Sequence, residues 1–568
     1  MKFDDVLRQI GEFGPYQKRV YFLATAPAVL LAFETLSAIF IFNIPPHRCA
    51  VPGYPDDTFA IQNNTHAIMI NLAIPRDQAG WDKCHVFDDV TTDALDSNLS
   101  ARDARNLNAS KRDCNSWVYD DSVFQSTIAT DFDVVCDRSY LRPNSNMFAE
   151  LGTLVGVFVC GFIADRFGRK ITFYIAGLAL MCGGFGIAFT YSLLTLNICR
   201  FLLGVARMAV WTNSLIIGLE IVGPSRRTFA GLFIDFLWCG GEFLLLLLAY
   251  FIRDWRWLEI ALSVPAVGLL FYWKLIPESP RWLASRGRDD EAMKVLERIA
   301  KSNNTQLPKV EDAHALLEGE NNLGLHHVFR SRELIKRTFI VLVNMFVLVL
   351  LYYGLTLNIT NLSGDIFVNF AINVALETVA YVTTYLVVDR LGRKPVYSGS
   401  LILAGALCVT SALPVMLSAP GSVVTVLSSL GRFFVCISFA LIYLYGAELF
   451  PTVVRSSAMS FGVTFSRIGN MIAPYIADVG ILVGGKLQDA LPLITMGCPA
   501  VLVGLLSLWL PETLGAKLPE SLEDVERGAR RLYFGKQSHS DADSINKHNY
   551  TNNNSHTTDS KGISKEPV

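Results

Sequence analysis

The hexapeptide Asp165-Arg166-Phe167-Gly168-Arg169-Lys170 returns as Asp389-Arg390-Leu391-Gly392-Arg393-Lys394, 224 residues later and with one conservative change. Each copy follows a long apolar run and precedes another, so each reads as a tight basic hairpin between two membrane helices. Glu220…Gly223-Pro224-Ser225-Arg226-Arg227 is echoed by Glu448…Pro451-Thr452…Arg455, and Pro277-Glu278-Ser279-Pro280-Arg281-Trp282 by Pro511-Glu512-Thr513. Three pairs in one order at nearly one offset imply two homologous halves. Such a chain folds as two like helical bundles facing each other.

Composition fits that reading. Of 568 residues 51% are hydrophobic and 18% charged, against about a quarter charged in soluble proteins. A spanning helix needs roughly 20 apolar residues. Stretches that qualify lie near 21–43, 147–164, 171–190, 194–219, 229–252, 257–276, 338–357, 366–388, 396–417, 424–446, 458–483 and 491–510. The expected fold is an all-α membrane protein with twelve transmembrane helices in two homologous six-helix halves. Its expected parts are an N-terminal segment 1–20, a first half 21–276 with a polar loop 45–143, a central segment 277–337, a second half 338–510, and a partly disordered tail 511–568. Duplicated membrane halves are the architecture of secondary transporters, whose site lies at midplane between the repeats.

Lys and Arg concentrate in the loops after the second, fourth and eighth runs, while loops 358–365 and 418–423 have none. By the positive-inside rule both termini are cytoplasmic and loop 45–143 is outside; Arg253 and Arg256 go against the trend. The loop carries sequons at Asn63, Asn98 and Asn108, expected to be glycosylated. It also carries Cys49, Cys84, Cys114 and Cys136, an even set expected to form two disulfides whose pairing stays open. The segment 289–299 has apolar residues at helical spacing and reads as an amphipathic helix under the membrane domain. A net charge of −2 argues against a nucleic-acid binder, which needs a basic field. No Walker loop, metal-ligand spacing or nucleophile elbow is visible. We therefore expect no enzyme activity, no cofactor and no metal, with transport driven by gradients or membrane potential.

These repeats resemble the major facilitator superfamily, whose corresponding loops carry the Asp-Arg-x-Gly-Arg-Lys pattern. The string Pro277 to Trp282, the large first loop, Tyr352-Tyr353-Gly354-Leu355 and Gly446-Ala447-Glu448-Leu449-Phe450-Pro451-Thr452 are similar to the organic cation/anion/carnitine transporters within it. The resemblance implies plasma-membrane localisation and a gating set of Asp165, Arg166, Arg169, Asp389, Arg390 and Arg393. These would act with Glu220, Arg226, Arg227, Glu448 and Arg455. An Asp at a helix end that pairs with an Arg across the half-interface would close one side and release as it opens. Sugar porters resemble the chain less, because their glutamine-rich seventh helix is replaced here by Tyr352-Tyr353-Gly354.

Ionisable groups at mid-membrane cost roughly 2.5–3.5 kcal/mol each on insertion scales, which implies a cavity or a partner. Glu34, Asp235, Glu242, Glu377, Arg467 and Asp478 all fall in apolar runs. Glu377 precedes Asp389 by twelve residues, about 18 Å of helix, which puts it near midplane. In the family that Arg467 resembles, anion and carnitine members carry Arg there and cation members Asp, while the Glu377 position is acidic in cation and carnitine members. An anionic site at Glu377, a cationic one at Arg467 and a further acid at Asp235 match a zwitterion or cation of carnitine, betaine or amino-acid size. Trp211, Tyr352, Tyr353, Phe439 and Tyr443 are the aromatic candidates, since an ammonium over such rings gains about 0.5–2 kcal/mol. Alternatives are mutual neutralisation of Glu377 and Arg467, an organic-anion exchanger, and a non-transporting receptor. A co-transported ion, the lipid bilayer and a scaffold domain capturing Glu566-Pro567-Val568 are further expected partners.

Overall fold

The computed structural model describes residues 3–77, 80–87, 110–307, 328, 331–483, 488–516, 519 and 525–526. Asn98, Asn108 and the C-terminal Glu566-Pro567-Val568 lie outside the described residues, as does nearly all of the tail. Among the described residues twelve long helices make up the body. The first half holds α1 (Pro15–Ile41), α2 (Leu141–Phe167), α3 (Arg169–Ala188), α4 (Leu193–Ile221), α5 (Arg227–Phe251) and α6 (Trp255–Leu275). The second half holds α7 (Arg332–Leu357), α8 (Ile366–Leu391), α9 (Arg393–Met416), α10 (Gly421–Leu449), α11 (Thr452–Ala477) and α12 (Leu491–Ser507). Among the described residues ten helices are long and apolar enough to cross a membrane. The other two are α11, which carries Arg455, Arg467 and Asn470, and the 17-residue α12.

Helix ends differ from the apolar runs where charged residues continue the helix. α7 begins at Arg332 rather than near 338, because Arg337 is held by Glu333 at 3.1 Å and donates to the Leu449 carbonyl. α11 runs from Thr452 to Ala477, where Pro474 and Asp478 end it, rather than over 458–483. Asp254 and Asp365 cap α6 and α8 by accepting the first free backbone N–H groups. The N-terminal segment also differs from its polar appearance. Residues Phe3–Ile10 form a helix that buries Phe3, Val6, Leu7 and Ile10. Helix Asp289–Ser302 buries Ala292, Val295, Leu296, Ile299 and Ala300, and Asn303 ties the two regions together by donating to the Ile10 carbonyl and the Gln17 side chain, both at 2.9 Å.

The repeated hairpins explain their own composition. Gly168 and Gly392 adopt φ of 111° and 98°, a region that residues with a Cβ avoid. Beyond each glycine a new helix opens with free N–H groups, and an acid from the third repeated motif receives them. Glu278 accepts from Arg169 N at 3.0 Å and Lys170 N at 3.2 Å. Glu512 does the same for Arg393 and Lys394, at 3.0 and 3.1 Å. A carboxylate at a helix N-terminus meets both the orphan donors and the dipole. Burial alone would raise the Glu512 carboxyl, but the N–H groups of Leu514, Arg393, Thr513 and Lys394 hold it below its ordinary value.

Each half has its own apolar core. The first core also takes in Ile359, Phe367, Phe370 and Val374 from the second half, so the halves meet at the end bearing loop 45–143. In that loop His47–Cys49 pairs antiparallel with Trp117–Tyr119, and His85–Phe87 with Lys111–Asp113. Disulfides join Cys49 to Cys114 and Cys84 to Cys136. Buried Asp57 accepts from both terminal nitrogens of Arg48 and contacts His66 at 2.8 Å.

Candidate functional site

Three helices of the second half, α7, α8 and α10, meet at Glu377. Its Oε1 accepts from the hydroxyls of Tyr352 at 2.8 Å and Tyr381 at 2.9 Å, and its Oε2 accepts from Arg432 at 2.6 Å. Arg432 also donates to Thr356 and lies 5.0 Å from the Tyr352 ring centre. Glu377 is 0% exposed. It is at mid-helix as its spacing requires, but it faces inward and is neutralised by Arg432, not by Arg467. Sequence reasoning missed Arg432. The available signal was an arginine inside the apolar run 424–446, the same signal that singled out Arg467.

Cys239 and Glu242 of α5 reach this cluster from the first half; their sulfur and carboxylate lie within 4.8 Å of the Glu377 carboxylate. Three donors already engage Glu377, and the Arg432 guanidinium neutralises it. Trp238 donates to Glu242 at 3.0 Å and meets Trp211 edge-on, with ring centres 5.8 Å apart.

Asp235 and Arg467 are in a different situation. Both are half-buried, and neither forms an ion pair among the described residues. Asp235 comes from α5 of the first half and Arg467 from α11 of the second. Arg467 lies against Tyr353, and Tyr443, 37% exposed, is within electrostatic reach of both Arg467 and Asp235. Tyr353, Tyr352, Phe439 and Tyr443 form a continuous aromatic run, with successive ring centres 5.2, 4.7 and 5.7 Å apart. Tyr352 is sealed behind Phe439, whereas Trp211, Tyr353 and Phe439 keep part of their surface open. Tyr443 is thus a common neighbour of an acid from the first half and a base from the second.

A second network runs between the halves. Arg207 of α4 donates to Glu150 and Thr153 of α2, both at 2.7 Å, and Asn470 of α11 donates to the other Glu150 oxygen at 2.6 Å. At the loop end Arg142 pairs with Asp478 at 3.4 Å and donates to Thr360 at 2.7 Å, while Tyr475 donates to Asn144 at 2.6 Å. Phe40 stacks on Phe367 at 5.7 Å. A cavity of about 470 Å³ lies above this seam, lined by His47, Lys83, Arg142, Asn361 and Asp489 among others. It is separated from the midplane groups by the seam.

At the hairpin end the ion pairs of Asp165, Asp389 and Glu448 among the described residues lie within one half. Arg169 lies 3.5 Å from Asp165, and Arg393 lies 3.0 Å from Asp389 and 3.4 Å from Glu448, each within one half. Asp165 and Asp389 have side chains 75% and 73% exposed. Glu220 sits beside Ser279, Arg455 donates to the Phe450 carbonyl, and Arg166, Arg226 and Arg390 are exposed while Arg227 is half-buried. The molecule is closed at the loop end, with its hairpin aspartates facing solvent. A lock that joins the halves only when the hairpin end is closed would be released in such a conformation. Asn63 is exposed, and its side chain caps the helix Asn64–Ala73 by accepting from His66 N at 2.8 Å.

Residues 137–524 match the family model described as "Sugar (and other) transporter". The chain is 33% identical to the organic cation transporter protein of Drosophila melanogaster, over 94% of this chain and 96% of that one. It is 32% identical to organic cation/carnitine transporter 2 of Mus musculus, over 92% and 94%. Its fold is similar to the inward open xylose transporter XylE from E. coli, with a TM-score of 0.56 at 17% identity, covering 90% of this chain and 99% of that one. The chain belongs to the organic cation/carnitine transporter family (solute carrier family 22) of the major facilitator superfamily, and it is a multi-pass membrane transporter.

Proposed function

We propose that this protein carries small organic cations and zwitterions, of carnitine, betaine or amino-acid size, across the plasma membrane by alternating access. Loop 45–143 would face outward and the hairpin end the cytoplasm. The observation that carries this reading is the pair Asp235 and Arg467. Each is a half-buried charge without an ion-pair partner among the described residues, one from each half, with Tyr443 in reach of both. A charge taken from water without a partner is costly, and a bound zwitterion supplies both missing partners at once. Arg467 offers a planar fork to a carboxylate, while Asp235 and the open faces of Trp211, Phe439 and Tyr443 suit an ammonium. Glu377 then acts indirectly, by fixing Arg432 and Tyr352 behind the pocket.

A cation entering a cell gains about 2.3 kcal/mol per charge per 100 mV of membrane potential, and a zwitterion gains nothing. Labelled L-carnitine, tetraethylammonium and p-aminohippurate, offered to expressing cells at two membrane potentials, test the reading. We expect saturable carnitine and tetraethylammonium uptake, with only the second responding to potential. An organic-anion exchanger, the reading that Arg467 alone would favour, requires p-aminohippurate to enter and the other two to be excluded.

A further inference from the structure

Cys239 and Glu242 stand three residues apart on α5, so they share one face of that helix. That face meets α8 of the other half. The Cys239 thiol and the carboxylates of Glu242 and Glu377 offer one donor atom each, all within 4.8 Å of one another. None of the three residues is more than 2% exposed. Cys239 also lies against Thr378 of α8. Glu242 uses one oxygen to accept from Trp238 at 3.0 Å, and its other oxygen is buried without a hydrogen-bond partner among the described residues. Arg432 is the base within reach of Glu242, and it is already committed to Glu377. The transport reading uses neither Cys239 nor Glu242.

A thiolate and two carboxylates are a donor set for ions of the zinc group, which accept sulfur and oxygen together. Donors around a tetrahedral zinc ion stand about 3.4–3.6 Å apart for bonds of about 2.0–2.3 Å. Closing from 4.8 Å or less asks about 1.3 Å of side-chain movement at the most. Glu377 keeps a place for the ion, because a carboxylate has about four acceptor directions and Tyr352, Tyr381 and Arg432 fill three. Charge closes as well. With Cys239 as thiolate the donors carry three negative charges, which a divalent ion and the Arg432 guanidinium balance. Asp235, one turn earlier on α5, is the remaining acid nearby and is left to the substrate. Trp238 orients Glu242 from behind and is itself met edge-on by Trp211. We propose that Cys239, Glu242 and Glu377 bind one divalent ion of the zinc group, and that this ion ties α5 to α8 and halts transport. On binding, the thiol releases its proton to solvent and its sulfur forms the bond to the ion. Coordination across the seam holds the halves at one separation, whereas alternating access needs them to rock. The lock rests on the alternating-access reading; the metal site does not.

Cadmium is the probe, because its bond to a thiolate has an ultraviolet charge-transfer band. The full chain is titrated with cadmium in lipid, after the exposed Cys182 and Cys498 are replaced by serine. The expected band saturates at one ion per chain. It should be absent in Cys239→Ala and kept in Cys436→Ala, a buried cysteine on the neighbouring α10. Trp238→Phe should raise the cadmium needed about ten- to a hundredfold, the usual cost of losing a group that orients a ligand, and Glu242→Gln should raise it at least as much. A band that survives in Cys239→Ala, or that needs no more cadmium in Glu242→Gln, overturns the site. In proteoliposomes, zinc or cadmium should lower the maximal rate of labelled tetraethylammonium uptake and leave its half-saturation unchanged. Cys239→Ala should escape that inhibition. Inhibition undiminished in Cys239→Ala, or labelled cadmium carried across the membrane, overturns the lock. A protein that binds cadmium through Cys239 yet carries neither tetraethylammonium nor L-carnitine keeps the site and removes the substrate reading instead.

Discussion

Glu377 and Arg467 show how far charge alone can be read along a chain. The cost of a mid-membrane charge marks both, and helix rise puts Glu377 near midplane. Which charge meets which is a matter of helix rotation and of the neighbouring helix, and neither is written in the local pattern. Arg432 won because α10 packs on α8 with its guanidinium 2.6 Å from Glu377, leaving Arg467 open on α11. Breaking one side of a buried pair leaves an uncompensated charge, roughly 3–5 kcal/mol. Glu377→Gln and Arg432→Gln should each lower folded surface expression sharply, and the double variant should recover much of it. Surface labelling of the four proteins checks the cycle, and a double variant no better than either single contradicts the pairing. Arg467→Asp should fold normally yet cut carnitine uptake relative to tetraethylammonium about ten- to a hundredfold, the value of a charge-assisted hydrogen bond of about 1.5–3 kcal/mol. Competition uptake with both labels in one assay measures that ratio.

Elements were more legible than contacts. The repeated hairpins, the glycines that turn them and the amphipathic stretch 289–299 follow from spacing and composition. The helix Phe3–Ile10 was obscured because its buried face is only four residues within a charged segment. The role of Glu278 and Glu512 was also hidden, since a repeated acid does not declare that it caps a helix more than 100 residues away. At the hairpins, Asp165→Asn and Asp389→Asn should reach the surface and slow maximal transport several-fold with little change in half-saturation, because they alter the balance of states rather than the pocket. Uptake kinetics at graded substrate separate the two parameters. In the loop, burial alone would raise the Asp57 carboxyl, but Arg48, the Val51 N–H and His66 hold it below the ordinary carboxylate value. A depressed folded value means that its stabilisation is complete above the unfolded value and lost as pH falls through the folded one. Hydrogen-exchange protection of residues 47–77 should therefore hold from neutral pH down to the ordinary carboxylate range and fail below it. Asp57→Asn should show weakened protection already at neutral pH.

For the whole molecule, duplication was the strongest signal, because three motifs at nearly one offset demand two like halves and a seam between them. The state of the seam had no such signal, since one sequence serves every conformation. Here the halves join at the loop end through Arg142–Asp478, Tyr475–Asn144 and Phe40–Phe367, while among the described residues the hairpin aspartates pair within their own halves. Alternating access requires the opposite arrangement to exist as well, with the hairpin end joined and the loop end apart. Nitroxides at Arg166 and Arg390 report the hairpin end, and nitroxides at the exposed Tyr191 and Leu417 report the loop end. Pulsed electron–electron distance measurements on both pairs, with L-carnitine absent and then saturating, test this most directly. The account expects reciprocal change, with a population in which the Arg166–Arg390 distance shortens as the Tyr191–Leu417 distance lengthens. Distances that move together at the two ends, or that stay fixed at both, would contradict it.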